Sequence, residues 1–122
     1  MTGEASEPKI SLRLDFDGGR LGPGKIALLE RIAASGSISA AGRSAGMSYR
    51  RAWSLVADLN ALFKEPLVET RPGGRDGGGA SLTQTGRAVI DAYRTAERAS
   101  ADACRTHLLA LSARMRSGDR VS

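Results

Sequence analysis

The stretch from Ser37 to Phe63 constrains this chain more than any other. Ile38, Ala41 and Ala45 fall on one side of a first short helix. Gly42 is the small residue at which a second helix can cross closely, and Gly46 supplies a bend that a side chain would resist. Ser48 opens the second helix, because its hydroxyl can accept from the free amides of the first turn, and Tyr49, Arg50 and Arg51 follow directly. Ala52, Leu55, Val56, Leu59, Leu62 and Phe63 then recur at three- and four-residue steps, which predicts one buried stripe. The opposite stripe carries Arg50, Ser54, Ala57 and Ala61. A short helix clamped across a second one with a polar and basic outer face is the geometry of a helix-turn-helix, whose second helix enters the DNA major groove.

The rest of the chain fits around that unit. A length of 122 residues suits one domain with its own core. The net charge of +5 favours a polyanionic partner, and its placement is informative. Met1 to Gly36 holds five residues of each sign, whereas Ser37 to Asp76 holds six basic against four acidic and Thr83 to Ser122 seven against four. A single cysteine, Cys104, excludes an internal disulfide and fits a reducing compartment. With no apolar run of membrane-spanning length and no secretory signature at the start, a cytoplasmic protein away from the membrane is expected.

In chain order, residues 1–8 read as a loose polar tail. Ile10, Leu12, Leu14 and Phe16 alternate with polar residues, which predicts a strand with one buried face. Asp17 to Gly19 form a turn, and whether Arg20 and Leu21 pair back stays open. Pro23 suits the first position of a helix whose apolar face is Ile26, Leu29, Ile32 and Ala33, with Gly36 ending it. After Pro66, Leu67 to Thr70 favour a strand, and Ser81 with Leu82 can return as its partner. Between them Pro72 to Gly79 contains five glycines. Beside a helix-turn-helix this hairpin reads as a wing, with Arg71 and Arg75 able to reach phosphates or the minor groove. A nucleotide-binding glycine loop would need a following lysine and hydroxyl residue at P-loop spacing, and none is present.

Thr83 can cap a final helix from Gln84 to about Leu111, roughly 40 Å long and too long to lie only against so small a body. Its alanine-rich side, with Val89, Tyr93, Ala96, Ala103, Leu108 and Leu111, predicts packing against the same helix of a second subunit in a two-fold dimer. The fold class expected is therefore mainly α with a small β wing. It comprises a winged helix-turn-helix over 9–82, a long dimerisation helix over 83–112 and a flexible end over 113–122.

From Ile10 to about Arg94 the chain resembles the amino-terminal DNA-binding domain of the ModE family, the molybdate-responsive bacterial transcription regulators, and more distantly the winged helix of LysR-type regulators. Six ordered segments carry the resemblance: Gly22-Pro23-Gly24-Lys25, Gly36 to Ala41, Gly46 to Trp53, Leu67 to Thr70, the glycine-rich wing, and Leu82 to Gly86. It implies a dimeric winged helix-turn-helix on a palindromic operator. Full-length members carry a carboxy-terminal oxyanion-binding portion built on small β-barrels. This chain ends soon after the long helix, so a regulator without its own effector-binding domain is expected.

Arg50 and Ser54 point most directly away from the predicted core and are assigned to base edges, with Arg51 on the flank reaching guanine or phosphate. Tyr49 is a candidate for a hydroxyl contact to phosphate, and Trp53 is read as a partly buried packing residue. Ser48 caps the second helix, and Ser37 and Ser39 are read as caps of the first that can also bind phosphate. Lys25 and Arg43 are further phosphate candidates. Cys104 and His107 have C-x-x-H spacing, which in a symmetric dimer would supply four metal ligands. A buried thiol and a surface imidazole is the preferred reading, and no metal or cofactor is expected. One histidine and no nucleophile paired with a base leave no basis for an enzyme. The alternative to a DNA-binding regulator is a protein-interaction module that uses the winged helix as a scaffold and recruits a separate sensor protein.

Overall fold

A computed structural model of the chain describes residues 8–73 and 79–116. Element order is β1 (Leu14–Phe16), β2 (Gly19–Leu21), α1 (Pro23–Ser35), α2 (Ile38–Ser44), α3 (Tyr49–Leu62), β3 (Val68–Arg71), β4 (Gly79–Leu82) and α4 (Gln84–Arg114). It is a winged helix-turn-helix with a long carboxy-terminal helix. The core is built from Ile26, Leu28, Leu29 and Ile32 of α1, Ile38 and Ala41 of α2, the α3 stripe Ala52, Leu55, Val56 and Leu59, and Leu67, Val68, Ala80, Leu82 and Tyr93.

The amino-terminal strand is shorter than its alternation predicts, and its hairpin does form. Leu14 pairs with Leu21, Asp15 with Arg20 and Phe16 with Gly19. The ladder stops there because Pro23 starts α1, so no partner remains for Ile10 and Leu12. Both stay half-buried outside any strand. Phe16, expected on a buried face, is 45% exposed and meets Phe63 edge-on, with ring centroids 6.1 Å apart.

Helix α1 begins with Pro23 and ends at Gly36, whose left-handed backbone (φ 71°) lets its amide return to Ile32 O at 2.8 Å. The Gly36 carbonyl then accepts from Ala80 N at 2.9 Å, tying the helix end to β4. Because α1 is packed by α2, α3, β4 and α4, its buried arc is wider than the predicted stripe. The arc takes in Leu28, while Ala33, near the exposed end, faces solvent. At the end of the α3 stripe, Leu62 and Phe63, the latter just past the helix, are half-buried rather than enclosed.

Strands β3 and β4 pair antiparallel, Val68 with Leu82 through Arg71 with Gly79. Thr83 caps α4, its hydroxyl accepting from Gly86 N at 2.9 Å. A Cβ on Gly86 would run into the Leu67 carbonyl, so a glycine is what allows the first turn of α4 to press onto the base of the wing. Further along, Arg94 forks onto Glu30 of α1 (2.7 and 3.0 Å) and onto Glu97 (2.8 Å). The guanidinium, by hydrogen bonding first, holds the Glu30 carboxyl below its usual range.

Tyr93 requires a correction. It was expected on the dimer seam, but it is 1% exposed and its hydroxyl donates to Leu12 O at 2.6 Å. The strand that stopped short leaves that carbonyl without a ladder partner, and the phenol supplies one. Val89 also packs against the chain's own core. Ala96 and Leu108 are half-buried, and Ala103 and Leu111 are exposed. With 31 residues α4 is about 46 Å long, and beyond Tyr93 none of its described residues is buried. No described helix is long and apolar enough to cross a membrane.

Substituting Gly86→Ala forces α4 off the wing and lowers stability by about 1–3 kcal/mol, measurable by urea unfolding. The depressed Glu30 pKa makes its ion pair stabilising above the ordinary carboxyl value of 4.5, with that contribution lost as pH falls through the folded value. Glu30→Gln is therefore less stable than the wild type at neutral pH, and the difference between the two narrows between about pH 5 and pH 3 in thermal melts.

Candidate nucleic-acid interface

Helix α2 is seven residues long and capped by Ser37, whose hydroxyl accepts from Ala40 N at 3.0 Å. Its crossing with α3 is close because Gly42 faces Ala52, and a Cβ on Gly42 would lie 2.8 Å from that of Ala52. Gly46 makes the turn at φ 74°, with its amide on Arg43 O at 3.0 Å and Met47 N on Gly42 O at 2.9 Å. Ser48 then caps α3 by accepting from Arg51 N at 3.0 Å. Arg31, which sequence reasoning passed over, reaches from α1 to hold both the carbonyl and the hydroxyl of Ser44 at the end of α2.

This packing leaves Arg50, Ser54, Ala57 and Ala61 exposed as one stripe along α3, and Arg51 exposed beside it. Among the described residues no carboxylate pairs with either guanidinium. On the other flank Tyr49 is 64% and Trp53 39% exposed, with ring centroids 6.0 Å apart.

The wing stands against this aromatic flank, and the residue responsible is Asn60. Its amide oxygen accepts from Leu67 N (2.8 Å) and Val68 N (3.1 Å), and its nitrogen donates to Val68 O at 3.2 Å. Asn60 lies two turns after Trp53 on the same flank. The available signal was a carboxamide next to Val56 and Leu59, where a buried polar group needs partners.

Between α3 and the wing lies an open cleft of about 300 Å³ lined by Ser37, Ser39, Tyr49, Trp53, Thr70 and Arg71, with Ile38, Gly73, Gly79 and Ala80. The structure thus brings together four of the predicted phosphate candidates, Ser37, Ser39, Tyr49 and Arg71. The Arg71 guanidinium lies across Gly79, its cross-strand partner, in the space a Cβ there would take. Ser39 is not a cap; it sits inside α2, leaving Ser37 as the capping residue. Arg43 is exposed in the last turn of α2.

Lys25 is not brought to this surface. Its ammonium donates to Arg20 O at 2.8 Å, on the β1–β2 hairpin whose Gly18 and Gly19 lie against Leu62, at the far end of α3. Arg75 lies outside the described residues. On α4 Cys104 is half-buried and His107 exposed, and among the described residues no cluster of three or more metal-ligating side chains occurs.

Residues 24–87 match the bacterial regulatory helix-turn-helix proteins of the lysR family. The chain is 49% identical over 80 residues to the molybdenum-pterin-binding protein MopA of Rhodobacter capsulatus, covering 66% of this chain and 30% of that protein. It is 45% identical over 85 residues to the transcriptional regulator ModE of Yersinia pestis, covering 70% and 30% respectively. It is 46% identical over 71 residues to the DNA-binding transcriptional dual regulator ModE of Escherichia coli K12, covering 58% and 27%. The chain therefore spans less than a third of the length of these three relatives. The match covers the whole helix-turn-helix and wing together with the start of α4, and on it the chain belongs to the lysR family of bacterial regulatory helix-turn-helix proteins, ModE-like over that stretch.

Proposed function

We propose that this protein is a sequence-specific transcription regulator that binds DNA as a dimer, its two α3 helices reading the half-sites of a palindromic operator. The observation that carries the reading is the uncovered stripe of Arg50 and Ser54 on a helix locked at both ends. Arg50 and Ser54 read base edges, Arg51 takes guanine or a phosphate, and Arg43 adds a phosphate contact at the turn. Two such helices read successive major grooves when they stand about 34–36 Å apart. The regulator ModE of Escherichia coli, which carries DNA binding in its name, supports the same direction.

The second copy is assigned to the distal half of α4. Leu111, near the end of α4, and Met115, just past it, are 57% and 64% exposed on one side of the helix, apolar side chains that a partner helix would cover. Ala96, Ala103, Leu108 and Leu111 remain as the seam, whereas Tyr93 belongs to the chain's own core. The same surface would serve the second reading, a scaffold that recruits a separate sensor protein. A pull-down that returns such a protein, together with no duplex binding by the chain itself, favours that reading.

Selection of bound duplexes from a random pool tests the main proposal: an enriched palindrome is expected, and recovery of unselected sequence argues against specific reading. Arg50→Ala removes about 1–3 kcal/mol of discrimination at one base pair of each half-site, seen as relaxed preference in competition binding. Leu111→Glu places a charge in the seam and shifts the mass measured by light scattering from dimer toward monomer, while circular dichroism of the winged helix is retained.

A further inference from the structure

We propose that Asp58, the one carboxylate of α3, accepts a hydrogen bond from the groove-facing amino group of a cytosine and so fixes a second base position in each half-site. The proposal rests on the DNA-binding reading above. It adds a residue that selects by refusing the wrong bases and brings no affinity for the DNA backbone.

The first observation is where Asp58 stands. At about 100° per residue it lies one turn beyond Ser54 and about 40° round from it, on the Arg51 side of the outward stripe. That side is turned away from the flank that Asn60 holds against β3. Asp58 is exposed, and among the described residues it forms no ion pair. Aspartate is one of the weaker formers of a helix interior, so neither helix propensity nor pairing accounts for the residue.

Its surroundings are the second. Beyond Arg51 the outward stripe carries Ser54, Ala57 and Ala61, all exposed and all small. No long side chain stands on this stripe to hold the helix off, so α3 can lie lengthwise in a major groove with its backbone close to the base edges. Asp58 is then the polar side chain that reaches furthest from the later turns of the helix, since Asn60 is engaged with Leu67 and Val68.

Spacing is the third. From Arg50 to Asp58 the helix advances about 12 Å, which at about 3.4 Å per base step puts the two contacts about three or four base pairs apart.

Chemistry then selects the base. A carboxylate has acceptors only. In the major groove cytosine presents its N4 amino group, whereas guanine presents O6 and N7 and thymine O4, acceptors that repel it; adenine sets N7 beside its amino group. Phosphate oxygens repel it too, so Asp58, unlike Arg51 and Arg43, has no favourable contact with the backbone.

The test selects duplexes from a random pool with the whole chain as wild type, Asp58→Ala and Asp58→Asn. Wild type is expected to enrich a cytosine about three or four base pairs from the position that Arg50→Ala relaxes. Asp58→Ala loses that cytosine, keeps the Arg50 preference and binds mixed-sequence duplex more tightly, because a negative charge near the phosphates is gone. Asp58→Asn shifts the preference from cytosine to adenine, whose N6 and N7 a carboxamide meets together. In the selected duplex, N4-methylcytosine at that position removes the groove-facing hydrogen and leaves the Watson–Crick pair. This weakens wild type by about tenfold and leaves Asp58→Ala binding unchanged.

A selected site indifferent to the base at that position, or one enriched equally by wild type and Asp58→Ala, overturns the contact and leaves the DNA-binding reading standing. Tighter binding of Asp58→Ala to every duplex, with the ranking of sequences kept, makes Asp58 a brake on backbone contact alone and also overturns it. A pool from which no sequence is enriched removes the reading on which the contact rests.

Discussion

The carboxamide of Asn60 decides where the wing stands. Leu67 and Val68 enter β3 directly after the chain turns at Pro66, and their amides face α3 rather than a neighbouring strand. A two-stranded sheet cannot satisfy those groups by itself, and leaving them unpaired at these buried residues would cost about 1–3 kcal/mol each. One side chain supplies acceptor and donor together, so the base of the wing is fixed to the last turns of α3. Gly86 then lets α4 press on the same place from the other side. The cleft, its aromatic wall and the placement of Arg71 all follow from this junction.

Helix α3 consequently has three working faces. One is buried through Ala52, Leu55, Val56 and Leu59, and a second, with Arg50 and Ser54, is open to solvent. The third carries Tyr49, Trp53 and Asn60 toward the wing. Rigidity comes from its surroundings: Gly42 allows α2 to cross at contact distance, Ser48 caps the start, and Arg31 braces the end of α2. Such a support leaves the backbone that carries Arg50 and Ser54 little freedom of its own.

The long helix α4 changes its packing along its length. Its first turns belong to the domain, through Gly86, Tyr93 and the Arg94 fork onto Glu30. The Arg94 pair is only partly shielded from solvent, so it orients the helix more than it adds stability. Beyond it the helix has no buried side chain among the described residues, and apolar groups such as Leu111 remain open.

Much of this was legible in the residues themselves. The three- and four-residue spacing in α3, the capping hydroxyls of Ser37, Ser48 and Thr83, Pro23 at a helix start, and Gly36 and Gly46 at the turns are local signals. Local sterics and hydrogen bonding act over a few residues, so the chain by itself determined the helices, their order, the helix-turn-helix and the outward stripe of Arg50 and Ser54. Tertiary structure alone decided which flank of α3 meets the wing, because that depends on Asn60 bonding to residues seven and eight positions away. It likewise decided that Tyr93 closes on Leu12 and that Trp53 lines a cleft. Those outcomes depend on which unsatisfied groups distant segments bring together, and periodicity within one segment carries no information about a partner 81 positions away.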